Sequence, residues 1–210
     1  TYAYELAVII EDGIHRMYVD QEEGFYYLTV MNENYAHPAI PEGVETGILK
    51  GMYRARAARR GRKATPRVQL LGSGTILREA LAAADLLEED FSVQADVWSV
   101  TSMNELSREG RDVERWNMLH PEEEPKQSHV EQCLANEQGP VVAATDYVNS
   151  YAEQIRAFIP QRYTVLGTDG FGRSGTRSQL RDFFEVNRYC LLYTSDAADD
   201  TPCVDLGGRR

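Results

Sequence analysis

A chain of 210 residues with 42% hydrophobic and 26% charged side chains can bury one ordinary core, which excludes a mainly disordered protein. Its formal net charge of −11 argues against a nucleic-acid or anionic-membrane surface as the main business, because phosphate binding draws on an excess of Lys and Arg. No apolar run approaches the roughly 18 residues of a membrane span, and the N-terminus lacks a basic-then-apolar signal. Cys133, Cys190 and Cys203 are widely spaced and form no C-x-x-C pair, so a reducing, cytoplasmic setting is expected. The chain opens on Thr1 directly into a helical pattern, which reads as a piece whose own N-terminus lies upstream.

From Tyr2 to Tyr18, Leu6, Ile10, Ile14 and Met17 recur at helical spacing and predict an amphipathic helix. Phe25 to Met31, aromatic and β-branched, reads as a strand. Asn32 to Pro41 lacks periodicity and reads as a connector between two domains. Glu42 to Lys50 then suggests a short helix, and Gly51 to Ala57 a strand. The stretch Arg54 to Arg67 holds seven basic residues, with Gly61 and Pro66 marking a turn; it reads as a solvated hairpin tip, since no aromatics are interleaved for bases to stack on.

A strand–helix rhythm follows. Val68 to Leu71, Val93 to Val100, Val141 to Thr145 and Tyr163 to Leu166 are the predicted strands. Between them lie a helix with Ile76, Ala80, Ala83, Ala84 and Leu87 on one face, a helical stretch from Met103 to Leu119, and a helix carrying Val148, Tyr151, Ile155 and Phe158. Thr176 with Gln179 forms a capping box that opens a last helix bearing Leu180, Phe183 and Phe184. Continuous apolar strands alternating with helices predict an α/β fold: a mainly parallel sheet covered by helices on both faces, with the Arg54–Arg67 hairpin adding one antiparallel edge strand.

Gly170, Gly172 and Gly175 satisfy the G-x-G-x-x-G spacing of a dinucleotide-binding turn. That chemistry also needs an acidic residue about 20 positions on, at the end of a second parallel strand, and here the turn follows the last predicted strand. The glycines therefore read as permitting a sharp strand-to-helix turn, with Asp169 and Arg173 free to pair with neighbouring segments or another subunit. Gly72-Ser73-Gly74 is read the same way, since it lacks the Lys of a P-loop. His15, His37, His120 and His129 have no second ligand at metal spacing, and Glu122, Glu123 and Glu124 read as a solvated loop. Cys133 has no adjacent His. No residue is assigned a catalytic, cofactor-binding or metal-binding role.

Several stretches in one order carry a resemblance: Thr1 to Met17 (TYAYELAVIIEDGIHRM), Asn32 to Tyr35 (NENY), Pro41-Glu42-Gly43, Val68 to Gly74 (VQLLGSG), Glu114 to Pro121 (ERWNMLHP) and Gly167 to Ser174 (GTDGFGRS). Over roughly Thr1 to Arg188 the chain resembles the homodimeric bacterial pyruvate dehydrogenase E1 component, a thiamine diphosphate enzyme of the transketolase superfamily. The resemblance implies residues 1–31 as the end of a pyrimidine-binding central domain, 32–41 as a linker and 42–190 as a truncated transketolase-like C-terminal domain. It also implies an intact enzyme that decarboxylates pyruvate on thiamine diphosphate and Mg2+, then reductively acetylates the lipoyl group of its E2 dihydrolipoyl acetyltransferase partner. The implied assembly is a homodimer with a second E1 subunit, with neither nucleic acid nor membrane as partner.

The cofactor-holding segments of that family precede the point where this chain starts, so no cofactor is expected to bind the piece itself, whose role reads as structural and dimer-supporting. A nucleotide-binding module built on Gly170, Gly172 and Gly175, and a pure dimerisation domain, remain the alternatives. The last residues, 191–210 (LLYTSDAADDTPCVDLGGRR), depart from the family pattern and show no helical apolar face; they are expected to be non-native and not to pack.

Overall fold

The central strands, largely apolar in sequence, are buried on both sides, because each faces a helix layer above and below. The computed structural model describes residues 1–59 and 65–197. Its sheet has five strands: β1 (Met52–Arg56), β2 (Arg67–Ser73), β3 (Gln94–Val100), β4 (Val141–Ala144) and β5 (Tyr163–Leu166), in the order β1-β3-β2-β4-β5. β2, β3, β4 and β5 run parallel, and β1 closes one edge antiparallel to β3, with Met52 opposite Val100.

Alternate residues of each strand feed two cores. Leu70, Val97 and Val142 point to the face covered by α3 (Leu77–Asp90) and α8 (Arg188–Ala197). Leu71, Trp98 and Ala143 point to the other, covered by α4 (Met103–Leu119), α5 (His129–Leu134) and α6 (Asn149–Glu153). Ala80, Ala83, Ala84 and Leu87 of α3 are fully buried, as their spacing predicts. The α/β architecture with one antiparallel edge strand and helices on both faces therefore matches the sequence reading.

Five expectations are corrected. The edge strand is not half of a hairpin: β1 pairs with β3, not with its chain neighbour β2. The reason is that β2 is buried at every position from Val68 to Ser73 and takes the centre, with β3 and β4 on its two sides, whereas β1 carries Arg54 and Arg56 and suits an edge. Residues 60–64, at the expected hairpin tip, lie outside the described residues.

Phe25 to Met31 forms no strand, since no described segment runs beside it to complete a hydrogen-bonded ladder. The helix expected through Phe158 stops at Glu153 and tightens into a 3₁₀ turn over Arg156–Phe158. The first helix is α1 (Ala3–Ile14) followed by a wider π turn, His15–Val19.

The expectation that residues from 191 on do not pack fails for those described. α8 buries Leu191, Leu192 and Ser195 against α3, and the Ser195 hydroxyl donates to the Leu191 carbonyl at 2.7 Å. The space left beside α3 and β4 rewards any helix that can place two leucines there. Val204 and the rest of 198–210 lie outside the described residues.

Two further helices complete the fold, α2 (Glu45–Lys50) and α7 (Arg177–Phe183). α5 had not been expected, yet Ser128 and Glu131 make a reciprocal capping box at its start.

Candidate functional site

The turn after β5 divides into two halves with different physical roles. In the first, the Thr168 amide donates to the Tyr147 carbonyl at 2.8 Å and its hydroxyl to the Asp146 carbonyl at 2.6 Å. The Asp169 carboxylate accepts from the Asn149 amide and from its Nδ2, both at 2.9 Å, so it caps α6. Gly167 makes this approach possible: a Cβ there would lie 2.5 Å from Asn149 Oδ1 and 2.8 Å from the Tyr147 carbonyl oxygen.

Over Gly170 to Gly172 the chain leaves close packing. Phe171 is 95% exposed, and a Cβ on Gly170 or Gly172 would meet nothing. Arg173 lies over the Phe183 ring, 4.0 Å from its centroid. After the Thr176–Gln179 capping box comes the seven-residue α7 and then α8, not a second strand with an acidic end. The geometry therefore lacks the ribose-binding half of a dinucleotide site. Gly72-Ser73-Gly74 is a tight connection as expected: a Cβ on Gly72 would lie 2.5 Å from Leu77 Cα.

Two polar clusters tie the N-terminal segment to the sheet. Glu5 of α1 is buried and accepts from the Tyr53 hydroxyl at 2.8 Å, the Ser99 hydroxyl at 2.6 Å and the Tyr2 amide at 2.6 Å. Burial pushes its carboxyl up, and the hydrogen bonds from Ser99 and the Tyr2 amide act in the opposite direction. Burial, the Tyr4 hydrogen bond and the Glu5 charge push the Tyr53 phenol well above its usual value.

The second cluster centres on Glu33, which Arg78 reaches at 2.9 Å, Arg181 at 2.6 Å and Arg177 at 3.7 Å. Arg78 also stacks over Tyr35, and Tyr35 stacks on His37, whose Nδ1 accepts from the Ala3 amide at 3.0 Å. The NENYAH segment is thus a strap holding the start of α1 against α3 and α7. Both clusters are saturated with partners, which suits positioning rather than proton transfer.

The remaining sequence candidates stay apart. His15 pairs with Asp20 on the surface, and His120 stacks on Trp116 with Lys126 on that ring. His129 Nε2 donates to the Met52 carbonyl at 2.9 Å and sits 3.6 Å from Cys133 Sγ. Burial raises that thiol to about 11, so it stays protonated at neutral pH rather than acting as a nucleophile. The i, i+4 spacing of His129 and Cys133 is the one signal of this pair in the sequence. Glu122, Glu123 and Glu124 lie exposed in a loop. The described basic residues of 54–67 meet acids: Arg54 bonds Glu137, Arg56 bonds Asp85 and Glu88, and Arg59 bonds Glu89. Among the described residues no three His, Cys, Asp or Glu side chains converge as a metal site, and no helix is long and apolar enough to cross a membrane.

Comparison with known families supplies what this geometry does not. The model of the transketolase-like C-terminal domain matches residues 51–187, which includes all five strands. The chain belongs to this family. As a transketolase-like C-terminal domain it is preceded by a second match, to the pyruvate dehydrogenase E1 component middle domain, over residues 1–38.

Its relatives include the pyruvate dehydrogenase E1 components of Cupriavidus necator, 61% identical over 90% of this chain, and of Pseudomonas aeruginosa, 60% identical over 91%. The corresponding protein of Escherichia coli K12 is 52% identical over 89%. The chain spans only about a fifth of the length of these relatives, 21% for the first and 22% for the second. Among solved structures, a transketolase of Pichia stipitis superposes with a TM-score of 0.49 at 15% identity, covering 77% of this chain and 20% of that one.

Proposed function

We propose that this chain is the C-terminal part of a pyruvate dehydrogenase E1 component, and that its work in the parent enzyme is structural. The carrying observation is the unbroken run of similarity, 61% identity across 189 residues, through the end of one domain into the next. In the parent, thiamine diphosphate with Mg2+ would supply the chemistry that decarboxylates pyruvate, and an E2 lipoyl group would accept the two-carbon unit. The described residues do not fit that cofactor, since no carboxylate and histidine set converges to hold its metal, so no step is routed through them.

What this chain contributes is rigidity between domains. The proposed divisions are 1–31, 32–41 and 42–190, a reading supported by the strap at Asn32 to His37 between α1 and the sheet. The Glu5–Tyr53–Ser99 and Glu33–Arg78–Arg181 clusters lock the incoming segment onto the C-terminal domain. A second E1 subunit is the proposed partner of the exposed Phe171 turn, and the cytoplasm the proposed location.

The test is calorimetric and enzymatic. The isolated chain is expected to give no saturable heat with thiamine diphosphate and Mg2+ and no pyruvate decarboxylation, whereas the parent reading frame restores both. Micromolar cofactor binding by the isolated chain would overturn the structural assignment.

A further inference from the structure

Because β2 leads to β3 on one side and β4 lies on its other side, the connections leaving the carboxyl ends of β2 and β4 diverge to opposite faces. Such a switch point opens a crevice at that edge of a parallel sheet. Here two concavities meet at Asp146. The one on the α7 side has a volume of about 370 Å³, within the usual size range of small-molecule sites.

Its charge is opposite to that of the chain. Arg173, Arg177 and Arg181 line it against the single carboxylate of Asp146, although the whole protein carries −11. The three guanidiniums are not equally committed. Arg181 is held by Glu33 and Glu79, and Arg177 donates to Asn32 Oδ1 at 2.7 Å with Glu33 further off at 3.7 Å. Arg173 has no carboxylate partner among the described residues; its face rests on Phe183, which fixes the plane of the fork and leaves its N–H edges free for an oxyanion. Ile76, Leu180 and Phe184 supply apolar wall, which lowers the local dielectric and strengthens these charges. Gly172 also lines the crevice, and no packing contact demands a glycine there, so that stretch of backbone is open to a ligand.

We propose that this crevice binds a small molecule carrying a dianionic phosphate group, gripped by Arg173 and Arg177 with Arg181 behind them. This differs from the dinucleotide reading of the same turn, because the arginines and not the glycine spacing hold the ligand, and no ribose partner is required. It goes beyond the structural role proposed for the chain and stands whether or not that role is right.

The experiment is isothermal titration of the 210-residue chain with glycerol 3-phosphate, inorganic phosphate and malonate. Saturable binding of glycerol 3-phosphate is expected, tighter than malonate, with inorganic phosphate reporting how much the phosphate group contributes alone. Arg173→Gln and Arg177→Gln should each weaken it about tenfold, the loss of one charge-assisted contact, and Arg173→Lys less. Arg108→Gln, on the distant α4 surface, should leave it unchanged. Thermal melting of Arg173→Gln should match the parent chain, since no ion pair is lost. The proposal is overturned by an absence of saturable binding up to ~10 mM, the weak end for such a ligand, by glutamine variants that bind as tightly as the unmutated chain, or by tighter binding of malonate.

Discussion

Single glycines in the signature turn differ in what they do, although the sequence presents them alike. Gly167 is fixed by the approach of the 147–149 backbone, so Gly167→Ala forces a displacement there, whereas Gly172→Ala meets open space. Differential scanning calorimetry should show Gly167→Ala destabilised by about 1–3 kcal/mol, the usual cost of overpacking, and Gly172→Ala nearly unchanged. A titrating residue makes a second case. Glu79 accepts from the Arg188 amide at 3.1 Å and from its Nε at 3.0 Å. Burial pushes its carboxyl up, but the hydrogen bonds and charge of Arg188, with Arg181, prevail and hold it below its ordinary value of 4.5. A folded value below the unfolded one means that this stabilisation is present above about pH 4.5 and is lost as pH falls through the folded value. Melting curves of Glu79→Gln should therefore lack the part of the acid decline that the parent chain shows below that pH.

Elements were legible where local pattern and burial agree. β2, β3 and β4 are short, largely apolar runs and α3 has a clear buried stripe, so their type and order followed from the pattern. The misreadings were decided by partners. Phe25 to Met31 has strand composition but no strand paired with it, and β1 paired with partners 41 to 48 positions away along the chain rather than with the next strand, as Arg56 faces Val97 and Met52 faces Val100. α8 was misread for the opposite reason: its sequence has little amphipathic pattern, yet Leu191 and Leu192 fill space beside α3. Leu191→Ala should accordingly cost about 3 kcal/mol through the cavity it leaves, read as a lowered melting temperature. An unchanged midpoint would return α8 to the unpacked tail that the sequence suggested.

At the scale of the whole molecule, the segment from Tyr18 to Met31 is rich in exposed apolar side chains. Phe25 is 89% and Tyr27 85% exposed, and Tyr18, Val19 and Val30 are exposed as well. Exposed apolar surface of this kind drives association. Sedimentation velocity should show concentration-dependent self-association of the chain, reduced in Phe25→Asp/Val30→Asp without a lower melting temperature, since neither residue is buried. The same span explains why the candidate site could not be read as an active site. The clusters at Glu5 and Glu33 tie α1 and the strap to residues 45 or more positions away, and what they accomplish is attachment of one segment to another.

The sequence by itself determined the α/β class, the identity of the central strands, the cap at Thr176, and the family, because these depend on local periodicity, short-range hydrogen bonding and ordered motifs. Only the tertiary structure decided which strand β1 pairs with, that α8 packs, that Glu33 is clasped by three arginines, and that Arg173 is left free of a carboxylate at the mouth of a crevice. Those outcomes depend on which surfaces meet across long stretches of chain, and on charges cancelling or failing to cancel where they meet.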